Sequence, residues 1–196
     1  MNLQNIHIAF GEKIVFDQLN LTIPTQGITC LMGSSGRGKT TLLRLVAGLL
    51  VPQKGKVEHA PTCPAVMFQE DRLLPTFSAL ANIQAVLPPN GKNPKKAQKI
   101  AAHWLDAVGL GAEKHALPAK LSGGMQRRVS LARTLAFGQE MGADFLLLDE
   151  PFAGLDPDTT AQMAHLILEA NIPALVITHA ETEAQLLGNR IIRLPD

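Results

Sequence analysis

Gly33-Ser34-Ser35-Gly36-Arg37-Gly38-Lys39-Thr40 has residue types and spacing suited to gripping a polyphosphate. Its glycines allow positive φ angles, which turn successive N–H groups inward towards an anion. Lys39 supplies a mobile full charge for the outer phosphates, and the Thr40 hydroxyl is a hard oxygen suited to Mg²⁺. Thr41 opens the apolar helical run that follows and completes the binding stretch. Arg37 occupies a variable position and reads as a solvated or phosphate-rim charge. The plainer alternative is a glycine turn between two elements.

Further groups with chemical potential occur along the chain. Phe145-Leu146-Leu147-Leu148-Asp149-Glu150 is an apolar strand ending in two adjacent carboxylates. A charged loop after a strand does not explain acids placed directly at the end of a segment with no polar face. Asp149 suits the metal side of a phosphate site. Glu150, on an extended backbone, points away from Asp149 and can orient or deprotonate an attacking water. Gln69 follows the apolar run Ala65–Phe68, and His179 follows Ala174–Thr178, so each sits where open α/β sheets present ligand-binding groups. Gln69 reads as a contact to metal or water, or as an ordinary loop residue. His179 reads as a γ-phosphate contact, or as a solvated histidine. Ser122-Gly123-Gly124 precedes a helix and is either a second anion site or a common turn. Phe10 lies just before the turn Gly11-Glu12-Lys13 in a chain with 4% aromatic residues and no tyrosine; it is a platform for a base or a strand-end core residue.

The positioning elements follow from periodicity. Leu3–Phe10 and Ile14–Ile23 alternate across the turn and predict an antiparallel β layer. Ile28–Met32 predicts the strand entering the glycine loop, and Thr41–Ala47 the helix leaving it, with a stop at Gly48. Lys56–Ala60 and Ala65–Phe68 predict short strands. Leu73–Leu87 carries a helical face towards its end, 88–94 is a turn-rich connection, and Ala97–Val108 has helical spacing that ends at Gly109, with Trp104 in the core. A helix after Gly124 turns Val129, Leu131, Ala132, Leu135 and Ala136 inward. Asp156-Pro157 reads as an N-cap and first helical residue of a helix to about Ala170. Ala174–Thr178, Ala180–Leu187 and Arg190–Leu194 complete the alternation as strand, helix and strand. This predicts an α/β chain with a mainly parallel sheet core, an N-terminal antiparallel β layer and an inserted helical subdomain near 73–137, all within one domain spanning 1–196.

At 196 residues with 46% hydrophobic content the chain suffices for one sizeable core. A net charge of +1 and the lack of a dense basic block with interleaved aromatics give no case for direct nucleic-acid binding. The two cysteines, in apolar or strand-like surroundings, fit a reducing cytosol. No apolar run approaches the ~18 residues that would span a bilayer, so any membrane role is expected to come through a partner.

Taken together, these motifs resemble the ATP-binding subunit of an ABC transporter, a P-loop NTPase, over essentially the whole chain. Gly33–Thr40 is similar to the family's Walker A loop, Gln69 to its Q-loop glutamine and Leu121–Met125 to its signature. Phe145–Asp149 is similar to Walker B, Glu150 to the catalytic glutamate, Ala153–Asp156 to the D-loop and His179 to the switch histidine. Phe10 falls where the family stacks adenine. The resemblance implies ATP and Mg²⁺ as ligands, with Thr40, Gln69 and Asp149 on the metal, and Glu150, His179 and Gln69 acting in hydrolysis. It implies two copies arranged head to tail, each Walker A loop facing the other copy's Ser122, Gly123 and Gly124. It also implies permease subunits that dock near Leu73, Leu74 and Phe77, a solute-binding protein in the full system, and a cytoplasmic location peripheral to the inner face of the membrane. Met125 replaces the usual signature glutamine, as in importer subunits of the nitrate, sulfonate, taurine and thiamine-precursor type, and Gln69–Pro75 resembles the same group. The connection from Val57 to Gln69 is shorter than usual and the chain stops soon after its last strand, as expected of a trimmed catalytic core. The competing expectation is an ABC-type ATPase that acts on a soluble or nucleic-acid partner without transport.

Overall fold

The computed structural model describes residues 1–87, 94–188 and 190–194. Asn2–Phe10 (β1) and Lys13–Thr22 (β2) pair antiparallel across the Gly11 turn, and Lys54–Glu58 (β4) joins the other edge of β1. Ile28–Met32 (β3), Pro64–Met67 (β5), Phe145–Asp149 (β6), Ala174–Ile177 (β7) and Ile191–Arg193 (β8) form a five-stranded sheet in the order β5-β6-β7-β3-β8, with every pairing parallel. The helices are Lys39–Val46 (α1), Ala79–Gln84 (α2), Pro94–Ala107 (α3), Gly123–Met141 (α4), Pro157–Glu169 (α5) and Glu181–Leu186 (α6).

The uninterrupted apolar strands are explained by cover on both faces. Along β6, Phe145 and Leu147 join one core cluster and Leu146 and Leu148 the other; along β7, Leu175 and Ile177 oppose Ala174 and Val176. One cluster holds α1 between the parallel sheet and the antiparallel layer, through Leu42, Leu43, Leu45 and Val46. The other gathers residues of α2, α3, α4 and α5, with Trp104 buried in it as expected.

Some boundaries differ from expectation. The strand expected at Lys56–Ala60 lies two residues earlier and pairs with β1 in the antiparallel layer. Helix within Leu73–Leu87 is confined to Ala79–Gln84. Pro75 disfavours helical backbone at Leu74, and the buried Asn82 side chain holds the preceding segment irregular: it accepts from Leu74 N–H at 2.7 Å and donates to the carbonyls of Leu74, Phe77 and Ser78 at 3.2, 2.9 and 3.1 Å. Ser78 then caps α2, its Oγ accepting from Ala81 N–H at 3.2 Å. The connection expected over 88–94 lies outside the described residues up to 93. α4 runs unbroken to Met141, where Gly142 at φ 66° ends it.

Leu147 is fully buried in β6, between the sheet and α1. Leu147→Ala removes that contact and leaves a void, so unfolding stability should fall by about 2–5 kcal/mol in chemical denaturation.

Candidate functional site

Four adjacent strands, β5, β6, β7 and β3, end at one edge of the parallel sheet and deliver Gln69, Asp149 with Glu150, His179 and the glycine loop to a single cleft of about 300 Å³. Ser35, Gly36, Gly38 and the first turn of α1, Lys39 to Thr41, form one wall. Phe10 stands at its rim with 52% of its surface exposed, which rules out the strand-end core reading and leaves a face open to a planar group. Lys13 and Val15 of β2 complete the rim; sequence patterning assigned Lys13 only to a turn and Val15 only to a strand.

Gly36 and Gly38 have φ of 80° and 84°, so the loop relies on glycine at both. At Gly38 there is a second reason, because a Cβ would lie 2.6 Å from Val15 Cγ1 and 2.8 Å from Phe16 Cζ. The loop is thus packed directly on β2. Gly38 caps α1 without a side-chain bond, so no side chain claims the first-turn N–H groups in place of an anion. Lys39 is buried, and its Nζ donates to the carbonyls of Gly33 and Ser34 at 2.7 and 2.9 Å. Burial lowers its pKa from the ordinary lysine value, while Glu150 and Asp149 act in the opposite direction.

Thr40 Oγ1 donates to Asp149 Oδ2 at 2.8 Å. The two oxygens expected to serve a metal are therefore neighbours, although they come from positions 40 and 149. Among the described residues no three His, Cys, Asp or Glu side chains converge as a metal cage. A hydroxyl, one carboxylate and a phosphate-binding loop fit Mg²⁺, which keeps water and phosphate ligands and takes few from protein. Burial raises the Asp149 carboxyl above the usual carboxylate range; the Thr40 bond lowers it and Glu150 raises it further.

Glu150 departs from expectation in one respect. Its backbone is left-handed, at φ 51°, rather than extended, so its carboxylate does not point away from that of Asp149; both line the same cleft. Glu150 Oε1 lies 2.9 Å from His179 Nε2. The turn is fastened at both ends, with Glu150 N–H donating to Ile177 O at 3.0 Å and Glu150 O accepting from Arg127 Nε at 3.0 Å and Nη2 at 2.7 Å. Arg127 was missed in the sequence. The available signal was an arginine four residues before Leu131, on the stripe of α4 that faces the core.

Arg37 does not line this cleft. It borders a neighbouring one of about 530 Å³ between β2 and the glycine loop, which lacks Lys39, Thr40 and Asp149. Ser122, Gly123 and Gly124 also lie outside the cleft. Ser122 Oγ caps α4 by accepting from Met125 N–H at 3.3 Å, and Ser122 and Gly123 are exposed.

A glycine loop opening onto a helix, with a hydroxyl–carboxylate pair beside it at the carboxyl ends of parallel strands, defines a P-loop nucleoside-triphosphate site. Comparison with known proteins narrows the class. Residues 16–153 match the ABC transporter family. The chain is 43% identical over 200 residues to the aliphatic sulfonates import ATP-binding protein SsuB 2 of Pseudomonas syringae pv. syringae (strain B728a), covering 100% of this chain and 69% of that protein. It is 40% identical over 193 residues to SsuB 1 of Paracoccus denitrificans (strain Pd 1222), covering 96% and 76%. Among solved structures, the dimeric post-hydrolysis state of the ATP-binding cassette MJ0796 bound to ADP and Pi superposes with a TM-score of 0.85 at 27% identity, covering 98% of this chain and 93% of that one. The chain belongs to the ABC transporter family and is an ATP-binding, ATP-hydrolysing subunit of it.

The electrostatics of Asp149 lead to a prediction. The unfolded chain ionises this carboxyl near 3.8. The folded chain does so at higher pH, so its contribution to stability is withdrawn as pH rises through the folded value. Without nucleotide, Asp149→Asn should melt above the wild type at pH 7, with the gap narrowing on acidification. A variant that melts below the wild type at pH 7 contradicts this account.

Proposed function

We propose that this chain energises a solute importer, working as a head-to-tail homodimer docked on permease subunits at the cytoplasmic face of the membrane. The observation that carries the catalytic part is the cleft itself, in which the Thr40–Asp149 and Glu150–His179 pairs stand beside the glycine loop. Lys39 and the loop amides bind the phosphates and Phe10 receives the base. Thr40 and Asp149, with Gln69 nearby, hold Mg²⁺, which when bound neutralises charge on the phosphate oxygens. Glu150 accepts a proton from water aimed at the terminal phosphorus. His179 orients that carboxylate and donates to the γ-phosphate region.

Assembly follows from what the cleft lacks. Ser122 and Gly123, exposed, and the half-buried Gly124 form a helix start outside it, which suits them to the γ-phosphate of a second copy, and two solved neighbours are dimeric. ATP then binds the closed dimer better than the open one, and hydrolysis removes the group both copies hold. Import is supported by the names of the relatives, which do not favour a soluble or nucleic-acid partner. No helix among the described residues is long and apolar enough to cross a membrane. Contact with a permease is assigned to the Asn82-pinned loop because Leu74 and Phe77 are each 42% exposed there. A solute-binding protein completes the system and, with the permease, sets the solute.

Two experiments test this reading. Glu150→Gln should keep ATP affinity within about twofold, lose at least ~100-fold in turnover and accumulate an ATP-bound dimer in size-exclusion chromatography; unchanged steady-state hydrolysis would sink the role of Glu150. Phe77→Asp should leave ATP binding intact and abolish co-purification with a polytopic membrane protein, whereas undiminished co-purification places the docking surface elsewhere.

A further inference from the structure

The strongest unassigned feature of the molecule is the guanidinium of Arg127, which is 3% exposed. A buried charge is tolerated only where its donors are matched. Here Nη1 donates to Phe68 O and Gln69 O at 2.9 Å each and to Asp71 Oδ1 at 2.8 Å. Nε donates to Glu150 O at 3.0 Å, and Nη2 to Glu150 O at 2.7 Å and to Asp149 O.

These acceptors belong to two chain segments that leave neighbouring strands. β5 and β6 are paired as far as Met67 and Leu148; beyond that register β5 has ended and β6 has no partner on that side, although Asp149 is still paired with Ile177 of β7. The planar fork of an arginine can serve both sets at once, which the single ammonium of lysine cannot do. It therefore acts as the next rung of the ladder, made from a side chain. Its most constrained acceptor is the carbonyl of Glu150, the residue in left-handed backbone immediately before Pro151. Such a conformation is uncommon for a non-glycine residue and persists only where its surroundings hold it.

We propose that Arg127 is a positioning residue for hydrolysis, holding the left-handed Glu150 turn and the Gln69 exit in register so that the Glu150 carboxylate stays against His179. This deepens the catalytic reading above and rests on it. The same side chain ties α4 to the cleft: Arg127 lies less than two turns from Ser122, and further along α4 the Arg133 Nη2 donates to Asp71 O at 2.7 Å. A second copy that engages the start of α4 would thus press on a helix already bonded to Gln69 and Glu150.

The test compares Arg127→Gln and Arg127→Lys in the full chain. Both should lower the single-turnover rate with Mg·ATP at least tenfold while leaving the Kd for a fluorescent ATP analogue within twofold, since the bonds of Arg127 go to Phe68, Gln69, Asp71, Asp149 and Glu150 and not to the glycine loop or the first turn of α1. Independently of activity, the His179 imidazole resonance, recorded without nucleotide at fixed pH, should move in both variants towards its position in Glu150→Ala. Rates within twofold of wild type, an unmoved resonance, or rate and affinity falling together would each overturn the proposal, as would loss of soluble protein in both variants, which would make Arg127 a core residue only. A wild-type chain that fails to hydrolyse ATP while the resonance still moves would sink the hydrolytic assignment and support the placement of Glu150 by Arg127.

Discussion

A carboxylate at the end of a strand buried on both faces must be given partners where the strand stops, and much of this fold is arranged to supply them to Asp149. Its strand lies between β5 and β7, so the exit of β6 is flanked on both sides by other exits. Thr40 approaches from α1 and donates to the carboxylate, Lys39 adds positive charge from the same turn, and Arg127 takes the carbonyl behind it. Even so, burial wins and the carboxyl is raised above its ordinary range. A site that leaves its central acid under-compensated is one where an added cation gains most, because a divalent ion relieves the desolvation that protein groups only partly offset.

The two sheets divide the work. The parallel sheet collects chemistry at one edge, because parallel strands all end on the same side and each carries its next residue to that side. The antiparallel layer contributes contact. Val15 and Phe16 lie where a Cβ on Gly38 would be, so β2 is packed directly on the glycine loop, and Phe10 at the end of β1 forms the rim. A change in β2 that never meets nucleotide would therefore alter the loop through packing.

What was legible in the sequence follows this division. Glycines, an apolar run ending in acids, and caps such as Asp156, whose Oδ1 accepts from Thr159 N–H at 2.9 Å, act through neighbours in the chain and can be read locally. The order of strands and helices followed from alternation of period. The left-handed turn at Glu150 was not legible, because residue type at 150 gives no reason for φ of 51°; the reason is Arg127, 23 positions earlier, together with Ile177. The course of Leu73 to Phe77, ahead of the helical face read towards the end of that stretch, was not legible for a similar cause. Pro75 and the four bonds of Asn82 hold the segment as an exposed loop. In both places a buried polar side chain, invisible to hydrophobic periodicity, decides the backbone.

The contrast between the two helix starts carries the argument about assembly furthest. α1 begins at a glycine with no side-chain cap and faces the cleft, so its amides are held for an external anion. α4 begins at a serine whose oxygen already satisfies Met125 N–H, and it lies outside the cleft. A helix whose own cap completes it is stable without a ligand. It can therefore wait, exposed, as a preformed surface, and a phosphate shared between copies need add only the remaining contacts. In the proposed dimer α1 supplies the binding site and α4 the surface that meets the phosphate of a second copy, and because Arg127 fastens α4 to the carbonyl of Glu150, that contact and the placement of the Glu150 carboxylate fall to one helix.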